Sequence, residues 1–192
     1  DLEGWGAVLS TYRTDDGGFR YAALHAAPAD RARLQAFSEA IGAASVEGLS
    51  RDEALAFYIN AYNALTIASV MALWPVENVL SEDGFFDERT HQVAGQVVTL
   101  NALENETIRG ERFAEPRIHF AVNCASTSCP PLQPLPFTAE NLEAQLAAGG
   151  REHVRRTTEI AGRRATVSQL FEWFAGDFER VGGVRAFVAA QL

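Results

Sequence analysis

Residues 50–75 read SRDEALAFYINAYNALTIASVMALWP. Ser50 followed three residues on by Glu53 is a capping box, in which the two side chains satisfy each other's exposed amides at a helix start. Nothing breaks the pattern before Pro75, whose ring clashes with a continuing helix and pushes the preceding residue out of helical geometry. The spacing therefore predicts a helix over Ala54–Leu73 that stops at Trp74-Pro75. Leu55, Phe57, Ile59, Leu65, Ile67, Val70 and Met71 leave it no polar face, and a helix apolar on every side is buried. Asn60 and Asn63, three residues apart, share a stripe with Ile67 and Met71. A buried amide without partners costs about 1–3 kcal/mol, so this stripe is expected to brace the backbone of a loop docked against it.

The rest of the chain supplies the covering. Residues 2–12 read as a helix interrupted by glycines, and residues 15–18 as a turn. Phe19 to Leu24 suggests a short strand, and Pro28 opens a helix to about Ala44. After the central helix, Thr90–Ala94 and Gln96–Leu100 form a hairpin about Gly95. A short helix follows over Leu100–Arg109, with Asn101 as N-cap and Gly110 as its stop. Arg117–Asn123 alternates as a strand, Ile118, Phe120 and Val122 on one face and His119, Ala121 and Asn123 on the other. Pro130, Pro131, Pro134 and Pro136 keep the next stretch irregular. A helix from Thr138 to about Arg155, a hairpin of Glu159–Ile160 with Ala165–Val167, and closing helices over Ser168–Phe174 and Val184–Leu192 complete the chain. With no repeat or linker, residues 1–192 are expected to form a single α+β domain. A buried central helix lies among several helices around a small, mainly antiparallel sheet.

The 192 residues carry a net charge of −9, with no lysine and 16 arginines. Such a balance argues against nucleic acid and anionic membrane surfaces as partners, both of which demand a basic footprint. No run of residues free of polar interruption approaches the length of a bilayer span, so membrane insertion is not expected. Two cysteines are too few for a disulfide scaffold. The chain begins at Asp1, as after cleavage of an export signal or after other trimming.

The chemistry concentrates in Pro116–Pro131, which holds both cysteines. A thiolate is the nucleophilic form of cysteine, and a neighbouring histidine activates it. The imidazole in turn needs an orienting acceptor. His119 with Cys124 fits that scheme, Glu104 or Asn60 orienting the ring and the N–H groups of residues 125–128 receiving an oxyanion. Cys124 is favoured over Cys129, which Pro130 stiffens. Asn63, Asn123, Ser126, Ser128, Cys129 and Arg109 are the supporting or binding candidates. The same residues also suit a bridge between Cys124 and Cys129 or a packed, inert pair. For zinc, the two cysteines and His119 give three ligands, and His25, His91 and His153 show no ligand spacing, so no metal or other cofactor is implied. Two functions stay open: a cysteine-dependent hydrolase or acyltransferase acting on an amide, thioester or small peptide, and a non-enzymatic module binding a peptide or small molecule, its cysteines structural or redox-active.

Phe57–Leu65, Pro116–Leu132, the Leu100–Arg109 segment and the tail around Phe171–Phe174 with Asp177-Phe178 together resemble the domain-of-unknown-function 547 family, in consistent order over roughly residues 20–190. The resemblance implies a domain that stands alone and is exported, periplasmic or extracellular, in bacteria, and is fused to leucine-zipper segments in plants. Plant-type members differ at the positions of His119 and Cys129. The order of histidine before cysteine is similar to that of circularly permuted papain-like enzymes, an analogy of arrangement that does not fix function.

Overall fold

The computed structural model describes residues 2–127 and 129–192. Its axis is a 23-residue helix, Arg51–Leu73, preceded by helices α1 (Leu2–Tyr12), α2 (Tyr21–His25) and α3 (Pro28–Ala43) and so designated α4. The predicted capping box closes its start: Glu53 N donates to Ser50 Oγ at 3.3 Å and Ser50 N to Glu53 Oε2 at 2.8 Å. By length and composition α4 is apolar enough to cross a bilayer, with a mean hydropathy of 1.3, which the residue-by-residue reading underrated. Its apolar surface goes instead into the protein, since 78% of an 18-residue apolar stretch of it is buried.

Three layers wrap it. On one side, α3 packs between α1 and α4 and also against the hairpin of β1 (Thr90–Val93) and β2 (Gln96–Thr99), which pair antiparallel about Gly95. On another, α5 (Leu100–Ala102) runs directly into a wider π-helical stretch, Leu103–Ile108, that lies on α4. On the third, α6 (Ala139–Thr157) packs on α4 and on a 3₁₀ turn at Pro116–Phe120. The chain closes with the exposed ribbon of β3 (Glu159–Ala161) and β4 (Arg164–Thr166), short helices α7 (Leu170–Trp173) and α8 (Ala175–Phe178), and α9 (Gly183–Gln191). The fold is mixed α+β, and its antiparallel structure is two separate two-stranded ribbons. The main core surrounds α4, and a second, aromatic cluster gathers Phe120, Phe171, Phe178 and Phe187 between α6 and the closing helices.

Three local expectations are corrected. Phe19–Leu24 is not a strand: only Phe19 bridges to Arg13, and Tyr21–His25 is helical, the usual ambiguity of a short apolar run. The cap at residue 100 comes from Thr99, whose Oγ1 accepts from Ala102 N at 3.1 Å, while the Asn101 side chain accepts from Asn105. Most consequentially, Arg117–Asn123 is not a strand. Pro116 opens a 3₁₀ turn, and the Glu115 carboxylate caps it by accepting from Arg117 N at 3.1 Å. At three residues per turn, successive side chains point in three directions. Ile118 enters the main core, Phe120 the aromatic cluster, and His119 stacks on Phe174 at the edge of that cluster. Alternating apolar residues here feed two cores, which a two-face reading mistakes for a sheet.

Candidate functional site

His119 is 2% exposed and lies parallel to the Phe174 ring with 3.9 Å between centroids. Its Nε2 is 2.7 Å from Oδ2 of Asp177, which lies within the single turn of α8. Asp177 is in turn held by Arg109, whose Nε donates to Oδ2 at 2.8 Å and Nη2 to Oδ1 at 3.2 Å. The same guanidinium sits 4.7 Å from the Phe174 ring centre and also donates to Asn105. Burial tends to raise the Asp177 pKa, but the hydrogen bonds from Arg109 and His119 hold it below the usual carboxylate value. Burial drives the His119 pKa down to about 4; Asp177 pushes it back up and the Arg109 charge adds to the fall. At neutral pH the pair is thus a carboxylate and a neutral imidazole. A carboxylate only accepts, so Nε2 carries the proton and Nδ1 keeps the lone pair of a general base.

Glu104 projects from the π-helical stretch. Burial raises its pKa, the Asp177 charge adds to that, and a hydrogen bond from Tyr62 together with Arg109 opposes it. Wide turns of this kind recur at functional sites, and carboxyl groups shifted toward neutrality recur there too.

The cysteine loop is braced from α4, as the buried amides require. Asn63 Nδ2 donates to Ala121 O at 2.8 Å, and its Oδ1 accepts from Asn123 N at 2.8 Å. Asn60 braces a different segment: its Nδ2 donates to Phe137 O at 2.7 Å and its Oδ1 accepts from Phe137 N at 2.9 Å and Trp5 Nε1 at 3.3 Å. Asn123 ties the loop to itself, donating to Pro130 O and accepting from Ala125 N, both at 2.9 Å. Ala125 adopts a left-handed φ of 58°, a conformation disfavoured for any residue with a Cβ. Cys124 and Cys129 are joined as a disulfide, their Cα atoms 6.2 Å apart.

Among the candidates, Glu104, His119, Cys124, Ser126 and Cys129 line one cavity of about 470 Å³. Leu80, Phe86, Leu170, Trp173 and Phe174 supply its apolar walls. On the other side of the loop a second cavity of about 560 Å³ also takes Ser126 and Cys129 as lining, with Asn123 and Thr127. Asn60, expected as an orienter of the imidazole, instead bonds Phe137, and Asp177 holds the ring. The Ala125 amide, expected among the oxyanion donors, is taken by Asn123. Ser128 lies outside the described residues. Among the described residues no group of three or more His, Cys, Asp or Glu side chains converges as metal ligands.

Asp177 and Phe174 are what the reading of the sequence missed. Both lie in the tail segment noted for its likeness to the family, and that was the signal. The spacing itself gives none, since Asp177 is 58 residues from His119.

A helical α+β domain whose buried central helix braces a disulfide-closed loop beside a His–Asp–Arg array is the class of protein defined here. The chain belongs to the family described as "Protein of unknown function, DUF547", which matches residues 46–154, more than half of its length. No curated protein and no solved structure matches it.

Proposed function

We propose that the chain is a cysteine-dependent hydrolase or acyltransferase for an amide, thioester or small peptide, its nucleophile stored in the Cys124–Cys129 bridge. The observation that supports this is the His119–Asp177–Arg109 array, whose His119 lines the same cavity as Cys124 and Cys129. A dithiol reductant would return two thiols and leave as its own disulfide. His119 Nδ1 would then take the Cys124 proton, with Asp177 accepting from Nε2–H and stabilising the imidazolium. The thiolate adds to the acyl carbon, and the leaving amine or thiol departs with the proton from His119. Water or a second acceptor releases the acyl group from sulfur. Glu104, whose buried carboxyl accepts from Tyr62, would be a further polar group facing the substrate in the same cavity. The order of His119 before Cys124 accords with a permuted papain-like arrangement. A bridge of this kind persists in oxidising compartments, which supports export.

The bridge also favours a second reading, a binding module for a peptide or small molecule in which the disulfide is structural. Site-mapped alkylation with iodoacetamide after dithiothreitol treatment separates the two. Cys124 reacting at pH 6 well above the rate of a free thiol of pKa about 8.5 supports the enzyme. An ordinary rate leaves the binding module.

A further inference from the structure

Ser126 and Cys129 line both cavities and so form a ridge between them. A ligand lying over the sulfurs meets different chemistry on each side. On the His119 side the walls are apolar, and two of them are conspicuous on the surface: Leu80 is 65% exposed and Trp173 68%. Large apolar side chains left that open are unfavourable in water, and a pair converging on one cavity marks a surface that is covered in use. The two come from unrelated elements, a 3₁₀ turn at Val79–Ser81 and the end of α7, with Phe86 and Phe174 forming the walls below. On the far side, Thr14, Asp16, Glu77, Thr127 and Arg156 set hydroxyl, carboxylate and guanidinium groups among apolar residues that include Phe19, Tyr21, Trp74 and Val76. A fatty-acyl chain does not match the polar groups of that mixed second lining, whereas a peptide offers both apolar side chains and a polar backbone.

We propose that the site binds an extended peptide across the Cys124–Cys129 ridge, with a large apolar side chain between Leu80 and Trp173 and its polar continuation in the second cavity. This deepens the hydrolase reading by naming its substrate class, and it holds equally for the binding module. The bridged Cα atoms are 6.2 Å apart, about two residues of extended chain at roughly 3.4 Å each. Two residues cross the ridge and at least one more enters each cavity. Four residues are therefore the shortest productive span, and Trp173 and Leu80 are its specificity determinants.

Fluorescence anisotropy without reductant tests this on the full chain with the bridge closed. The probe is the fluorescein-labelled hexapeptide Gly-Gly-Phe-Gly-Ser-Gly, beside the same peptide with Ala for Phe and the truncated tripeptide Gly-Gly-Phe. The phenylalanine hexapeptide binds at least tenfold more tightly than either. Trp173→Ala and Leu80→Ser each cut its advantage over the alanine peptide to threefold or less. Ile160→Ser, at an equally exposed apolar residue on β3, leaves the advantage intact. Equal binding of the phenylalanine and alanine peptides overturns the proposal. So does a preference that survives both cavity variants, a tripeptide as tight as the hexapeptide, or a labelled decanoyl-glycine that binds as tightly. Because no thiol is needed for binding, peptide selectivity without Cys124 reactivity after reduction sinks only the hydrolase reading. Fast alkylation without peptide selectivity sinks only this one.

Discussion

His119 Nε2 and Asp177 Oδ2 are held 2.7 Å apart between a 3₁₀ turn and a short helix whose N-cap residue, Phe174, stacks on the imidazole. Burial keeps the imidazole neutral by lowering its pKa, with Arg109 adding to the fall, and the Asp177 contact opposes both. Removing either neighbour therefore shifts the titration in opposite directions. Asp177→Ala is expected to move His119 below its value of about 4, and Arg109→Ala to move it above. Nuclear magnetic resonance of the His119 ring through an acid titration measures both. Movement in the same direction for the two variants contradicts this arrangement.

Asn63→Ala removes the partner of a buried carbonyl at Ala121 and of the Asn123 amide. Each orphaned group costs about 1–3 kcal/mol, so a loss of about 2–6 kcal/mol is expected in denaturant unfolding. Asn60→Ala should cost a similar amount, because it strips two bonds from Phe137. The two differ in where they loosen the protein. Only Asn63→Ala should speed hydrogen exchange at Ala121–Ala125, and acceleration there by Asn60→Ala would show that the two asparagines are not independent braces.

The central helix was legible because everything that makes it is local: a capping box, an unbroken apolar run and a proline stop. The hairpin at Gly95 was legible for the same reason, its glycine taking the φ of 77° that the turn requires. The buried stripe of Asn60 and Asn63 announced that a loop must dock on it, and Asn63 does meet the cysteine loop. Pro116–Asn123 misled because a 3₁₀ turn that feeds two cores on different sides places apolar residues at every second position, as a strand does. Glu104, His119 and the two sulfurs were visible as reactive types, yet the partner of His119 was not. That partner is set by how α8 packs on the turn, a tertiary fact with no local trace.

Acid should destabilise the protein through its histidines. Burial lowers His119 to about 4, and His153 also to about 4, with the Arg156 charge contributing at His153. A base with a depressed folded-state pKa binds fewer protons folded than unfolded between the two values. Stability is then full above about pH 6.5, falls as pH drops toward 4, and is not further changed by these groups below that. Each contributes on the order of 3 kcal/mol over the window, at roughly 1.4 kcal/mol per pH unit. Asp177, with its lowered pKa, adds a further loss below about pH 4 as it protonates. Urea midpoints measured from pH 8 to 4 should fall most steeply between 6 and 4.5. A flat profile there would show that the two rings are solvated.

His153 is the place where the core can be improved. It is 2% exposed, its ring lies 5.1 Å from Phe120 and 6.1 Å from Phe171, and neither ring nitrogen has a hydrogen-bond partner among the described residues. A neutral imidazole there leaves one donor and one acceptor unsatisfied in an aromatic cluster. Replacing both by carbon removes the desolvation cost without breaking any bond. His153→Phe is expected to stabilise the protein by about 1–2 kcal/mol, raising Tm by about 2–8 °C in a domain of this size. It should also remove one of the two titrating groups, so its advantage over the unaltered protein grows as pH falls from 7.5 to 4.5. His119→Phe, which strips Asp177 of a donor, should lose stability at neutral pH. Thermal melts of both variants at the two pH values decide the matter. If His153→Phe destabilises at pH 7.5 while the smaller His153→Leu does not, the cavity around the ring is too tight for a benzene ring. If both destabilise, His153 is satisfied by water and the cluster is not the dry core that its lining of Phe120, Phe171 and Phe187 implies.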